Sequence, residues 1–114
     1  MPTVYKILPA TLWVDAQRNG FFYGSPVDIK DGFIHFSTAE QAAETAAKHF
    51  AGEPNLLLLH VDANRLGARL KWEPSRSGAL FPHLYGALDL TAVIRVDPLS
   101  LAADGRHHFP PLDA

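Results

Sequence analysis

The spacing of apolar residues in the first part of the chain predicts a strand followed by a helix. Val4–Leu8 is predicted to be a short strand that ends at Pro9. A helix is expected over Thr11–Asn19, with its first residue as the cap and Gly20 as the glycine that closes it. The stretch Phe21–Lys30, which contains aromatic residues, a glycine, a proline and charges, is interpreted as a loop.

A turn, a strand and a helix start then follow within eight residues. Asp31-Gly32 is a turn signal, and the aromatic and β-branched stretch Phe33–Phe36 suits a short strand. The helix Ala39–Phe50 is well marked, because Ser37-x-x-Glu40 and Thr38-x-x-Gln41 both fit a capping box. Its small and apolar residues at helical spacing predict close packing against a sheet.

The second half of the chain is richer in strand signals. Asn55–Asp62 contains the continuous apolar run Leu56–Leu59, which is typical of a strand buried on both faces. A helix is the competing interpretation, since leucine is a weak strand former, but Pro54 and the short length favour a strand. We expect the Ala39–Phe50 helix to pack on one mixed or antiparallel sheet that contains both this strand and the strand before the helix.

Further short elements complete the chain. Leu70–Glu73 is predicted to be a strand, Pro74–Pro82 a loop, and Ala92–Val96 a strand stopped by Asp97-Pro98. Ser100–Ala114 is interpreted as a surface-packed or partly mobile tail. The sum is a single α+β domain over residues 1–99, with about two helices and five or six short strands, followed by a C-terminal tail over 100–114.

Composition narrows the classes of function. A chain of 114 residues with 47% hydrophobic and 19% charged residues suits one globular domain. The formal charge of −2 makes nucleic-acid binding by charge alone an unfavoured function. The absence of cysteine excludes disulfides, zinc–thiolate sites and thiol catalysis. Because no signal peptide or transmembrane run is evident, a soluble cytoplasmic protein without a membrane partner is expected.

His35 is the first candidate for chemistry. In a strand alternate residues share a face, so Phe33, His35 and Ser37 point to one side and Ile34 and Phe36 to the other. An imidazole and a hydroxyl then stand beside a helix start, where free N–H groups favour anions. This arrangement suits a polar or phosphorylated ligand, while a hydrogen-bonded structural histidine is the alternative interpretation.

The second candidate is the segment from 72 to 86, which concentrates five kinds of functional side chain. Arg76 could fork onto a phosphate or carboxylate, and His83 and Glu73 are candidates for acid–base or ribose-binding groups. Tyr85 and Trp72 could stack on a planar ring. The structural alternative is a solvated ion pair between Glu73 and Arg76 and aromatic residues that belong to the core.

Other chemistries find no support in the sequence. No glycine-rich phosphate loop of Walker or Rossmann spacing is present, and no nucleophile elbow. None of the histidines has the helical i, i+4 pairing with a glutamate that marks a metalloprotease, so no metal is expected. A Ser-His-Asp arrangement remains an open but unsupported alternative.

The longer motifs resemble those of a family of small, mostly bacterial proteins known only as domain of unknown function nine hundred and fifty-two. The resemblance covers about Val4 to Leu99, and its most specific parts are Asp31-Gly32-Phe33-Ile34-His35-Phe36-Ser37-Thr38, Trp72-Glu73-x-Ser75-Arg76 and Phe81-Pro82-His83-Leu84-Tyr85-Gly86. That family looks like a compact member of the ADP-ribosyltransferase fold, a group that also includes RNA 2′-phosphotransferases. The resemblance therefore implies an ADP-ribosyltransferase-like fold, although a fold alone does not establish an activity.

The resemblance also implies roles for individual residues. His35 is similar to the histidine that hydrogen-bonds a ribose hydroxyl of NAD in transferases of this fold. Ser37 and Thr38 resemble the hydroxyl pair that often follows it. The aromatic residue that stacks on nicotinamide has no clear match, and its candidates are Tyr23, Phe50 and Tyr85.

The final glutamate of those enzymes has no recognisable counterpart. Glu73 lies in a different context, and His83 or Arg76 falls in the same region. Conventional protein ADP-ribosylation is therefore in doubt, while other NAD chemistry stays open.

The resulting hypothesis assigns His35, His83 and Glu73 to catalysis. Cofactor binding is assigned to His35, Ser37, Thr38, Arg76 and Tyr85. The expected ligand is NAD as a substrate or a related ADP-ribosyl compound, with transfer of an ADP-ribosyl or phosphoryl group as the implied reaction. A binding module that kept the cleft without the chemistry, or a protein-interaction module, is the alternative. The sequence leaves the oligomeric state open.

Overall fold

Helices in this chain are short and lie against antiparallel sheets. We describe them from a computed structural model, in which residues 2–75 and 78–112 are described. The strands are β1 (Thr3–Pro9), β2 (Phe21–Phe22), β3 (Ile34–His35), β4 (Leu56–Asp62), β5 (Leu70–Pro74), β6 (Leu80–Leu84), β7 (Leu88–Asp89), β8 (Val93–Leu101) and β9 (His107–His108). The helices are α1 (Ala10–Asn19), α2 (Pro26–Asp31), α3 (Ala39–His49) and α4 (Ala63–Leu66). The radius of gyration, 13.2 Å, is that of one compact α+β domain.

The main sheet is built around the leucine-rich strand. Its order is β1-β4-β8-β9, and every pairing is antiparallel. Leu58 and Leu59 are both fully buried although they point to opposite faces of β4, because a separate apolar cluster packs on each face. The prediction of a central strand buried on both faces is confirmed, and the competing helix is excluded.

A smaller sheet of order β3-β6-β5 carries the histidine strand, and β2 pairs with β7 in a third sheet. β3 and β4 therefore lie in different sheets, and the prediction that one sheet contains both is wrong. The two sheets are joined instead by a backbone bridge between Tyr5 and Ser37, in which each amide donates to the other residue's carbonyl at 2.8 Å. This bridge holds β1 against the segment that follows β3.

The two predicted helices are present. Thr38 caps α3, since its Oγ1 accepts from the Gln41 amide while the Gln41 side chain accepts from the Thr38 amide. α1 begins one residue before Thr11, directly after Pro9, so the predicted Thr11 cap is wrong. Gly20 closes α1 in the left-handed conformation at φ 80°, as predicted.

Residues 21–30 are not a loop throughout, because α2 begins at Pro26. Ser25 and Asp28 form a capping box around a proline at the first helical position. Val27 and Ile29 are more than half exposed, so the helix lacks the apolar stripe by which helices are recognised in a sequence.

Two prolines lie inside strands: Pro82, where the sequence predicts the end of a loop, and Pro98, where it predicts the end of a strand. β6 runs through Pro82, whose carbonyl still accepts a hydrogen bond from the Phe36 amide at 3.0 Å, beyond the end of β3. β8 continues through Pro98 to Leu101. β9 pairs only with Ser100 and Leu101, so the sheet edge beside Pro98 is open and accommodates a proline.

The tail packs on the surface, in agreement with the first of the two alternatives. β9 pairs with the end of β8, and Phe109 and Leu112 pack against the apolar cluster beneath α3. No helix within residues 2–75 and 78–112 has the length and apolar character needed to cross a membrane.

Candidate functional site

One face of the three-stranded sheet carries two histidines in register. β3 places His35 directly opposite His83 on β6, and β5 places Lys71 opposite His83 from the other side. The ring centroids of His35 and His83 lie 5.5 Å apart, and Phe33 stacks on His83 with centroids 4.0 Å apart. Two residues selected separately from the sequence are thus brought together by the sheet.

Asp28 supports His35 from α2. Its Oδ1 lies 2.6 Å from Nδ1 of His35 and also accepts from the His35 backbone amide at 3.1 Å. The other oxygen, Oδ2, lies 2.8 Å from Nζ of Lys6 and accepts from the Ser25 amide at 2.9 Å. Because the Asp28 side chain is only 1% exposed, this carboxylate depends entirely on protein donors.

The pKa values of the buried Asp28 and Lys6 each depend on the charge of the other residue. Burial alone raises the pKa of Asp28, but the hydrogen bond from His35 and the charge of Lys6 outweigh it and hold the pKa well below its usual range. Burial lowers the pKa of Lys6, which the Asp28 carboxylate partly offsets. Since an ionised carboxylate only accepts hydrogen bonds, Nδ1 of His35 carries a proton.

The second nitrogen of His35 faces another carboxylate. Nε2 lies 2.9 Å from Oδ2 of Asp31, the last residue of α2. A cationic ring donates to Asp28 and Asp31 at once, whereas a neutral ring with its proton on Nδ1 leaves the Asp31 contact without a proton. His35 is therefore held in place by one buried and one exposed acidic residue.

His83 belongs to a second hydrogen-bonded group. Its Nδ1 lies 2.8 Å from Oε1 of Glu73, and the same oxygen accepts from the Tyr85 hydroxyl at 2.8 Å. These two hydrogen bonds lower the pKa of Glu73, and the bond to Glu73 raises the pKa of Tyr85. An ionised Glu73 fixes the proton on Nδ1 of His83, which leaves Nε2 as the nitrogen that can accept a proton from a ligand or water.

A cleft of about 600 Å³ opens beside both histidines, a size within the range of small-molecule sites. It lies between β1, α2, α3 and the histidine face. Its polar lining residues are Tyr5, Lys6, Ser25, Asp28, Asp31, His35, Ser37, Gln41, Glu44, Thr45, His49, Glu53, Ser75 and His83. The apolar wall includes Leu12, Phe36, Phe50 and Phe81.

The two predicted hydroxyl residues occupy different positions. Ser37 lines the cleft, with its Oγ 2.9 Å from Oγ1 of Thr45 on α3. Thr38 is not among the cleft-lining residues, and its hydroxyl caps α3. Both therefore have a protein partner in this structure, and only Ser37 is also placed to contact a ligand.

The remaining predicted residues are dispersed. Trp72 lies on the face of β5 opposite to Glu73 and is 46% exposed, while Arg76 lies outside the described residues. Among the candidates for a stacking aromatic, Phe50 lines the cleft and Tyr23 is 63% exposed. Tyr85 contacts Glu73, as described above.

Lys6, Asp28, Asp31 and Phe33 are the residues of this site that the sequence interpretation missed. The pattern Ser25-Pro26-x-Asp28 is a helix-start signal that could have revealed α2 and with it the position of Asp28. A lysine flanked by apolar residues in a strand was a second signal, because such a lysine needs a buried partner. Within the described parts of the chain, no group of three or more His, Asp or Glu side chains is arranged to hold a metal ion.

Comparison with known proteins places the chain in a family. A crystal structure of protein CC0527 from Caulobacter crescentus is 54% identical, covers 93% of each chain and superimposes with a TM-score of 0.90. The solution NMR structure of CC0527 is 55% identical over 93% of this chain and 91% of that one, with a TM-score of 0.83. No curated protein sequence matches the chain. A family model described as a protein of unknown function, DUF952, matches residues 7–96, and the chain therefore belongs to the DUF952 family.

Proposed function

We propose that this protein binds NAD or a related ADP-ribosyl compound in the cleft and cleaves it at the ribosyl bond. The observation that carries the proposal is the pairing of His35 and His83 across β3 and β6 at the edge of the cleft. One imidazole held as a hydrogen-bond donor beside another with a nitrogen free to accept a proton is an arrangement suited to a polar reaction on a sugar.

The two histidines would have different roles in the reaction. His35, fixed by Asp28, would donate to a ribose hydroxyl and so orient the sugar. His83, fixed by Glu73, would take a proton from the attacking water or acceptor hydroxyl through Nε2. The bond between ribose C1′ and the nicotinamide nitrogen breaks, nicotinamide leaves with the bonding electrons, and the acceptor oxygen bonds to C1′.

An ADP-ribosyltransferase-like fold belongs to the same proposal. It is supported by the family resemblance, by a histidine on an early strand of a small antiparallel sheet, and by a cleft between that sheet and β1. Arg76 remains the candidate for the pyrophosphate, since Ser75 beside it lines the cleft.

A binding module without turnover is the second candidate, and one observation favours it. Both ring nitrogens of His35 already contact carboxylates, at 2.6 Å and 2.9 Å, so the ring must give up its contact with Asp31 before it can hydrogen-bond a ribose hydroxyl and orient it for cleavage. In that case the cleft would bind the ADP-ribosyl group and leave the glycosidic bond intact.

The test combines calorimetric titration of NAD and ADP-ribose with chromatographic measurement of released nicotinamide. We expect saturable binding, with turnover if the first candidate holds and none if the second does. His83→Gln is the variant of choice, because replacing His35 also removes a donor from the buried Asp28. We expect His83→Gln to abolish most turnover.

His108→Gln is the matched control, since His108 is an exposed histidine on β9 away from the cleft lining. It should bind and turn over NAD as the wild type does. Absence of binding of both NAD and ADP-ribose to the folded wild type would overturn the proposed function.

A further inference from the structure

Contacts between oppositely charged or polar side chains link four residues into one cluster: Lys6, Asp28, His35 and Asp31. The contact between Asp31 and His35 is the most exposed part of this cluster. The Asp31 side chain is 39% exposed and the His35 side chain 34% exposed, whereas Lys6 and Asp28 are almost completely buried. Asp31 and His35 both line the cleft. A ligand in the cleft can therefore reach a carboxylate and an imidazole side by side.

The position of Asp31 runs against local helix preferences. It is the last residue of α2, and a carboxylate at the C-terminal end of a helix is opposed by the negative end of the helix dipole. Gly32, in the left-handed conformation at φ 86°, then turns the chain directly into β3. The fold thus holds an acidic side chain where the helix alone disfavours it.

The charges around this pair select the part of the ligand that fits there. Among the described cleft-lining residues Lys6 is the only lysine or arginine, and its ammonium is already bound to Asp28. Asp31, Glu44 and Glu53 add negative charge to the same lining. A phosphate placed beside Asp31 is repelled by its carboxylate, whereas a hydroxyl group can donate a hydrogen bond to it.

We propose that Asp31 and His35 together recognise the vicinal diol of a ribose, with Asp31 accepting a hydrogen bond from the 2′-hydroxyl. In the absence of ligand, Asp31 contacts Nε2 of His35, the ring nitrogen that the sugar contacts when it binds. This inference rests on the proposed function and adds to it the orientation of the ligand, with the nicotinamide ribose at α2 and the pyrophosphate away from it.

The experiment compares two ligands on three proteins. The ligands are NAD and its analogue with fluorine in place of the 2′-hydroxyl of the nicotinamide ribose, which cannot donate to a carboxylate. Affinities are measured by calorimetry for the wild type, for Asp31→Asn and for Glu44→Gln, and nicotinamide release is followed in the same samples. Glu44→Gln is the matched control, because Glu44 lines the cleft but pairs with Lys48 at 2.8 Å instead of with His35.

We expect the wild type to bind NAD about 10- to 100-fold more tightly than the fluorinated analogue, the scale of one hydrogen bond to a charged group. In Asp31→Asn this ratio should fall towards one, and in Glu44→Gln it should stay at the wild-type value. A wild type that binds both ligands equally, or an Asp31→Asn variant that keeps the full ratio, would overturn the diol assignment while leaving NAD binding established. Failure of the wild type to bind NAD and ADP-ribose would overturn the proposed function and the diol assignment together.

Discussion

The main sheet and the small sheet each contain a histidine held by a carboxylate, and the two groups are nearly alike in local geometry. On the main sheet His60 Nε2 lies 2.7 Å from Oδ2 of Asp97, and that oxygen is also 2.8 Å from Arg95 Nε. On the small sheet the Glu73 oxygen that contacts His83 is shared with Tyr85 instead. His60 and His83 are even equally buried, at 5% and 6% exposed.

What separates the two groups is access to the cleft. The His60 and Tyr5 rings form a T-shaped pair with centroids 5.0 Å apart, and His60 is not among the cleft-lining residues. His83 lines the cleft and faces a second histidine across the sheet. A histidine–carboxylate pair is thus a structural unit in one place and a candidate catalytic unit in the other, and burial alone does not distinguish them.

The largest expected effect on stability comes from removing the ammonium group of Lys6, which pairs with the buried carboxylate of Asp28. Lys6→Met should lower the free energy of unfolding by about 3–5 kcal/mol, because it leaves the buried Asp28 carboxylate without its ammonium partner. Urea denaturation measures the change. Lys48→Met is the control, since its exposed ion pair with Glu44 should contribute at most about 1 kcal/mol. Equal losses in the two variants would show that the Lys6–Asp28 pair has no special role.

Low pH should weaken the stabilisation of the fold by the ionised Asp28 carboxylate. The pKa of folded Asp28 lies below that of the unfolded chain, which is about 3.9, so its ionised form stabilises the fold above that pH. This contribution should be lost as the pH falls below about 4, at about 1.4 kcal/mol for each unit by which the folded pKa is lowered. Melting temperatures between pH 7 and pH 2 should therefore fall more steeply for the wild type than for Asp28→Asn, with the exposed Asp89→Asn following the wild type more closely.

Replacing each histidine by alanine sharpens the comparison directly. We expect His60→Ala and His83→Ala to lose similar stability, about 1–3 kcal/mol, because both remove a buried hydrogen-bonded ring. Only His83→Ala should reduce NAD affinity or turnover, by tenfold or more, on the order of one lost directed hydrogen bond. Thermal denaturation measures the stability of both variants, and calorimetric titration measures their affinity for NAD. A similar fall in NAD affinity for His60→Ala would contradict the distinction drawn here.

The smallest expected effect concerns Thr38. Thr38→Ala should cost about 1 kcal/mol of stability, since it removes the side-chain cap of α3. NAD affinity should stay unchanged, because the hydroxyl serves the helix and does not line the cleft. Thr38→Ser, which keeps the hydroxyl, should recover most of the stability. A clear loss of NAD binding with little change in melting temperature would instead support the cofactor-binding role that the resemblance implies for Thr38.

The sequence was informative for α3 and β4, which carry their signals in a few neighbouring residues. The capping box at Thr38 and Gln41 predicts the start of α3, and the run Leu56–Leu59 predicts a doubly buried strand. Where the determining contacts come from elsewhere in the chain, the interpretation was wrong. The sequence predicts that the strand stops at Asp97-Pro98, but β8 continues to Leu101, because whether a proline is tolerated depends on which edge of the sheet is open.

The same distinction between local signals and contacts from elsewhere in the chain applies to the residues of the candidate site. Strand alternation places His35 on the polar face, and His83 and Glu73 stand out by residue type. The contact of His35 with Asp28, and that of Asp28 with Lys6, depend on how α2 packs between β1 and β3. Asp28 was overlooked because α2 buries its polar cap residue and exposes its apolar ones, the reverse of the pattern that marks a helix.

The backbone bridge between Tyr5 and Ser37 has a mechanical consequence. Both residues line the cleft, and their two amide–carbonyl hydrogen bonds tie one wall to the other. Separating the two walls at this point would break both hydrogen bonds at once, so we expect β1 and the segment after β3 to move together. The amide protons of Tyr5 and Ser37 should accordingly exchange with deuterium only as fast as the whole molecule unfolds.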